Sequence, residues 1–166
     1  MKDITEELRG KLGFGCMRLP MADGNVDIQE FSRMVDAYLA AGFDYFDTAH
    51  GYIEGKSELA LRECLPSRYP RDKYFLVDKL SGSFLNKEED VVPFFENQLT
   101  ACGVEYFDLY LMHSQSAQVF EKFKKLRCYE TVLDLKKQGK IRHFGISFHD
   151  TPQVLEQILT EYPQIE

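Results

Sequence analysis

No apolar run in this 166-residue chain approaches the ~20 residues that cross a bilayer as a helix. Its opening residues, MKDITEELRG, are acidic and polar, unlike the basic and then apolar start of a secretory leader. Positive charge is in deficit: 20 Lys and Arg stand against 27 Asp and Glu, a net charge of −7. That balance favours solubility and leaves no electrostatic footprint for DNA or RNA. The four cysteines, Cys16, Cys64, Cys102 and Cys128, lie far apart with no CxxC pair, which argues against a zinc ribbon or a redox pair. They read as reduced, mostly buried thiols of a cytoplasmic protein. No HxH or HExxH spacing supports a metal, so no metal is expected. No Pro/Ser-rich linker divides the chain, and residues 1–166 are expected to form part of one domain.

What is present is a repeat. Short β-rich runs fall at LGFGCMRL (12–19), FDYFD (43–47), YFLVDKL (74–80), YFDLYLMH (106–113) and RHFGISF (142–148). Helical patterns separate them. Ile28, Phe31, Val35, Tyr38 and Leu39 form one apolar stripe, opened by Asp27 with Glu30 three residues on, the spacing of a capping box. Further helices are expected over about 57–65, from near Asp90 to Gly103, over about 129–137, and from Asp150 or Thr151 with Pro152 just inside. The longest connection, 114–126, is expected to hold an extra turn or a lid.

Five β-then-α units in series predict a parallel sheet covered by helices. Two architectures fit, a doubly wound sheet and a (β/α)8 barrel. A dinucleotide-binding sheet would run GxGxxG straight into a helix. Here Gly13-Phe-Gly15 leads into Cys-Met-Arg-Leu-Pro20, which cannot open one. The expectation is therefore a TIM-type (β/α)8 barrel, truncated after about five βα units, since Pro163 to Glu166 falls where a sixth strand should begin. The open apolar edges of such a half-barrel would pair with other chains.

The strands end on polar residues: Asp47, Lys79, His113 and Ser147, spaced 32, 34 and 34 residues apart. Carboxyl ends of strands form the active-site face of parallel α/β folds. Adjacent strands lie ~4.8 Å apart, so three successive ends can surround one pocket. A buried ammonium needs a counter-ion, and Asp47 is the natural partner of Lys79. Tyr52 follows in the next loop. A free phenol titrates near ~10, and a nearby ammonium favours its ionised form. With an imidazole to fix the reacting oxygen, these groups suit proton donation to a carbonyl during reduction. Protein groups carry no hydride, so a nicotinamide is implied.

Across nearly its whole length the chain resembles the aldo-keto reductases. GFGCMRLP resembles their first strand, FDTAHGY their FDTAxxY motif, VDKL the Lys strand, LYLMHS the His strand and GKIRHFGIS the fifth strand. The resemblance implies Tyr52 as proton donor, Lys79 as its electrostatic support, Asp47 as partner of Lys79 and His113 as the group orienting the carbonyl. It implies NADPH or NADH as cofactor, with Ser147 on the nicotinamide carboxamide, Asp47 nearby, and the backbone around Cys16 and Met17 close to it. A small-molecule carbonyl would be the substrate. SFHDTP and ACGVEYFDLYLMH resemble the bacterial branch that often carries a C-terminal ferredoxin-type iron–sulfur domain; any cluster would sit beyond these residues. Two positions depart from the family pattern: Phe148 stands where many members have Asn, and Asp78 precedes Lys79 in place of a small residue or Thr.

Taken singly, Asp47 reads as a cap, Lys79 as a snorkelling edge residue, His113 as a core histidine and Tyr52 as surface. Four such residues at successive strand ends favour a catalytic set. His50, His143 and His149 read as structural or solvent-facing, Glu121 to Arg127 as a solvated face, and Phe43, Tyr45 and Phe46 as core. The competing functions are a cofactor-binding regulatory module on the same fold, as in channel-associated relatives, and an inactive fragment.

Overall fold

The computed structural model describes residues 4–166; Met1, Lys2 and Asp3, which begin the polar opening segment, lie outside the described residues. A single helical turn, α1 (Ile4–Glu7), precedes strand β1 (Phe14–Gly15). This first strand is far shorter than the run at 12–19, because the chain leaves the sheet and forms a hairpin, β2 (Met21–Ala22) and β3 (Asn25–Val26). Asp23 and Gly24 turn it with φ of 51° and 75°, the two positive φ values a tight two-residue hairpin requires. Helix α2 (Ile28–Ala40) opens on Asp27, whose carboxylate accepts from Glu30 N at 2.9 Å. The Glu30 carboxylate turns to Arg33 instead of back to Asp27, so only half of the capping box forms.

Strand β4 (Tyr45–Asp47), helix α3 (Lys56–Cys64), strand β5 (Phe75–Leu80) and helix α4 (Val91–Cys102) follow. Pro93 sits in the first turn of α4, where its missing N–H leaves no helical bond unmade, and Gly103 in left-handed conformation ends the helix. After β6 (Phe107–Gln115), the long connection folds into a helix of its own, α5 (Ala117–Lys125), ahead of α6 (Cys128–Lys137). Phe120 and Phe123 are buried on its inner side, and Lys122 Nζ donates to Gly82 O at 2.7 Å. Strand β7 (Ile141–Phe148) and helix α7 (Pro152–Glu161) complete the fifth unit.

The sheet order is β1-β4-β5-β6-β7, and every pairing is parallel. Successive strands are always neighbours, so there is no point at which the order reverses. A doubly wound sheet would have one. The two faces also differ. Phe46, Leu76, Leu80, Tyr110, Met112 and Phe144 join the large core under the helices. Phe75, Val77 and Leu109 form a separate small cluster on the other face, with Ile4 and Leu8 of the opening segment packed against it. One helix-covered face and one inner face are the layering of a (β/α)8 barrel.

At the β7 edge the residues after α7 return to the sheet. Glu166 N donates to Phe144 O at 2.9 Å, and His143 lies between Glu166 (2.6 Å) and Glu7 (3.3 Å). The edge expected to be bare is thus partly covered.

Candidate active site

Strand alternation aims one residue in two at the inner face. Lys79 shares that face with Phe75 and Val77, while Leu76, Asp78 and Leu80 point to the helices. Lys79 Nζ meets Asp47 Oδ1 at 2.6 Å across the β4–β5 pair and also donates to Thr48 O at 2.7 Å. The lysine side chain is 4% exposed and the aspartate 25%, so the ammonium is held in a dry place by an anion with some access to water.

Tyr52 is placed by an unusual turn. It begins a short 3-10 segment, Tyr52–Gly55, in which Ile53 and Glu54 take φ of 51° and 56° and Gly55 takes 84°. A β-branched residue is costly in that region, and such strain concentrates at functional sites. The result sets the Tyr52 ring 4.7 Å from Lys79 Nζ, measured to the ring centre.

His113 meets the same phenol from β6. The two rings are edge-on, 6.1 Å apart at 81°. The pairing of β6 with β7 slips between Met112 and Gln115, and Ser114 has φ of 53°. This bulge carries His113, and Ser147 anchors it: Ser114 N donates to Ser147 Oγ at 2.7 Å. Burial, the Lys79 charge and His149 together lower the His113 pKa to about 4, so the imidazole is neutral at ordinary pH. Its Nδ1 lies 2.7 Å from Ser81 Oγ.

Asp47, Tyr52, Lys79 and His113 are therefore brought together, and Ser147 joins them at the neighbouring strand end. The oxygen of Ser147 is used by the bulge, which leaves its hydroxyl proton to donate. A hydroxyl donor at the open strand ends, one strand beyond His113, suits the carboxamide of a nicotinamide. Cys16, whose backbone is expected near the cofactor, is tied to the strand ends: its N–H donates to Asp47 O at 2.8 Å and its carbonyl accepts from Ser57 Oγ at 2.9 Å. Burial, with Asp47 nearby, pushes its thiol pKa up, away from a thiolate. Met17 beside it is exposed.

A cavity of about 490 Å³ opens beside His113, walled by Ser81, Phe84, Gln118 and Lys122 among others, a size suited to a small organic molecule. Helix α5 supplies one wall, so the connection expected to hold an extra turn or a lid contributes a helix that lines the pocket.

Sequence reasoning missed three groups. Thr48 lends its carbonyl to Lys79 and its hydroxyl to Ser57 (2.8 Å). Ser81 lies two residues past Lys79, on the same face by alternation, a signal that was available. Behind β5, Gln98 Nε2 bridges Asp78 Oδ1 (2.9 Å) and Glu58 Oε1 (3.1 Å), and Tyr110 donates to Gln98 Oε1. His50 turns to Glu58 at 2.9 Å, with its ring against Phe84 and Phe94, not toward His113.

The aldo/keto reductase family model matches residues 11–165. An aldo-keto reductase of Mycolicibacterium smegmatis is 31% identical over 91% of this chain and 50% of its own length. The NADH-specific methylglyoxal reductase of Escherichia coli is 28% identical over 93% and 53%. Among solved structures, an aldo-keto reductase from Bacillus halodurans in its holo form matches with a TM-score of 0.73 at 26% identity, over 90% of this chain and 49% of that one. One from Klebsiella pneumoniae in complex with NADP and acetate gives 0.69 at 26%, over 87% and 48%. The chain spans about half the length of the relatives it matches.

Proposed function

Since the chain belongs to the aldo/keto reductase family, we propose that its site reduces the carbonyl of a small aldehyde or ketone to an alcohol, with NADPH or NADH as cofactor. Residues 1–166 would supply the first five βα units of one barrel domain. The observation that supports this most is the meeting of Tyr52, Lys79, Asp47 and His113 at the carboxyl ends of three adjacent strands. Bound there, a nicotinamide would supply the hydride, with Ser147 holding its carboxamide and the exposed Met17 at its side.

The remaining roles belong to the protein. Tyr52 gives its hydroxyl proton to the carbonyl oxygen as negative charge grows there. The Lys79 ammonium stands over the phenol ring and supports the charge left on its oxygen. Asp47 keeps that ammonium paired and in place. Neutral His113 donates a hydrogen bond to the carbonyl oxygen and fixes its approach to Tyr52. The pocket beside His113 receives the rest of the substrate.

Four free, buried thiols fit a reducing compartment, and we place the protein in the cytoplasm. Among the described residues no helix is long and apolar enough to cross a membrane. The short β1 leaves an edge through which copies of the chain would self-associate.

The test is nicotinamide oxidation with a small aldehyde, methylglyoxal first because a relative is named for it. Turnover that Tyr52→Phe lowers by orders of magnitude is expected. Nicotinamide binding without any turnover would favour a regulatory module instead. Absence of both would favour an inactive fragment.

A further inference from the structure

A histidine that orients a carbonyl must present an N–H to it, and a neutral imidazole has only one proton to place. The proton can sit on Nδ1 or on Nε2, and the hydrogen bond at the other nitrogen decides which. On β6 that bond is made to Ser81, whose Oγ is 2.7 Å from His113 Nδ1. Ser81 is 5% exposed, lies just past the end of β5 two residues after Lys79, and directly precedes the turn Gly82–Phe84.

The hydroxyl of Ser81 has no other hydrogen-bond partner among the described residues. If Nδ1 carried the proton, it would donate to Ser81 Oγ, and the serine proton would be left without a protein acceptor among the described residues. Leaving a largely buried donor without a protein partner is unfavourable. If the serine donates to Nδ1, the hydroxyl is satisfied and the ring proton must lie on Nε2. From the geometry we propose that Ser81 is a positioning residue: it donates to His113 Nδ1, locks the imidazole as the Nε2–H tautomer, and thereby turns that N–H into the donor for the carbonyl oxygen. The bulge at Ser114, tied to Ser147, fixes where the ring stands; Ser81 fixes which face of its chemistry is shown. The tautomer assignment stands on the hydrogen bond alone, whereas its catalytic consequence rests on the carbonyl-reduction reading.

The experiment has two arms. In the first, long-range proton–nitrogen NMR of the imidazole rings is recorded on the full chain without cofactor or substrate. His113 is expected to show the Nε2–H pattern, and Ser81→Ala is expected to shift it toward a mixture or toward Nδ1–H. An Nδ1–H pattern in the unaltered protein overturns the proposal, whether or not the variant folds. In the second, kcat with a small aldehyde is compared in Ser81→Ala and Ser81→Thr. The alanine variant should lose roughly ten- to a hundredfold in kcat, since misdirecting one donor is enough. Cofactor affinity should stay unchanged, and threonine, which keeps the hydroxyl, should restore both tautomer and rate. A Ser81→Thr variant that keeps the NMR pattern but not the rate, or a Ser81→Ala variant at full kcat, overturns the positioning role. If the protein reduces no carbonyl at all, the function proposal falls, while the NMR arm still decides the tautomer.

Discussion

Asp78 and Lys79 are consecutive residues that serve opposite sides of one strand. The lysine ammonium reaches Asp47 on the inner face, while the aspartate turns to Gln98 beneath the helices. Locally, Lys79 N donates to Asp78 Oδ1 at 2.8 Å, and Gln98 Nε2 donates both to that carboxylate and to Lys79 O. The carboxylate that departs from the family pattern therefore does not compete with Asp47 for the ammonium.

Its placement has a pH signature. Burial, then the nearby Glu58, raise the Asp78 pKa well above the ordinary carboxylate value. A raised folded pKa means that the folded state holds the proton more tightly than the unfolded chain. The stability from that proton is present below the unfolded value of ~4 and is lost as pH rises through the folded pKa. Asp78→Asn keeps an acceptor for Lys79 N and Gln98 and removes the ionisable group. Its Tm is expected to exceed that of the parent near neutral pH by about 2–4 °C, and to gain nothing near pH ~4. Thermal melts across that range check it; a lower Tm at neutral pH would show that the carboxylate itself holds the network.

His113 titrates the other way. Its folded pKa of about 4 lies below the ordinary histidine value of ~6.5. Between these values the unfolded chain binds a proton that the folded state refuses, so stability falls as pH drops through this window. His113→Asn removes that dependence. Urea midpoints at about pH 7 and about pH 5 should converge in the variant relative to the parent.

The Asp47–Lys79 pair predicts a non-additive result. Lys79→Met leaves a partly buried carboxylate without its cation and should destabilise by about 1–3 kcal/mol, less than a fully buried pair because Asp47 keeps some access to water. Adding Asp47→Asn should recover part of that loss. Denaturant titrations of the two single variants and the double variant measure the coupling; strict additivity would mean the contact carries no energy.

Tyr52→Phe should lower kcat by roughly 10²–10⁴-fold, the usual worth of a positioned acid, with nicotinamide affinity nearly unchanged. A kcat equal to the parent's would remove Tyr52 from the mechanism.

Much of this was legible in one dimension. The 3.6-residue stripe of α2, the stop at Gly103 and the first-turn Pro93 follow from local stereochemistry, which acts within a few residues and is written in sequence order. Strand alternation put Lys79 on one face and Asp78 on the other without any tertiary information. The polar ends of the second to fifth strands marked the candidate site, because parallel strands bring their carboxyl ends together.

Other features depend on contacts that sequence separation hides. Ser81 lies 32 residues from His113, Gln98 lies 40 from Glu58, and Cys16 spends its carbonyl on a serine 41 residues away. Hydrogen bonds of this kind are set by distances of a few tenths of an ångström between elements, and residue types alone do not encode those. The left-handed turn after Tyr52 is another case: Ile53 disfavours it, and only the surrounding packing can impose it. The sequence determined which residues line the strand ends. The tertiary structure decided which of them touch, which remain buried and paired, and which way a single proton points.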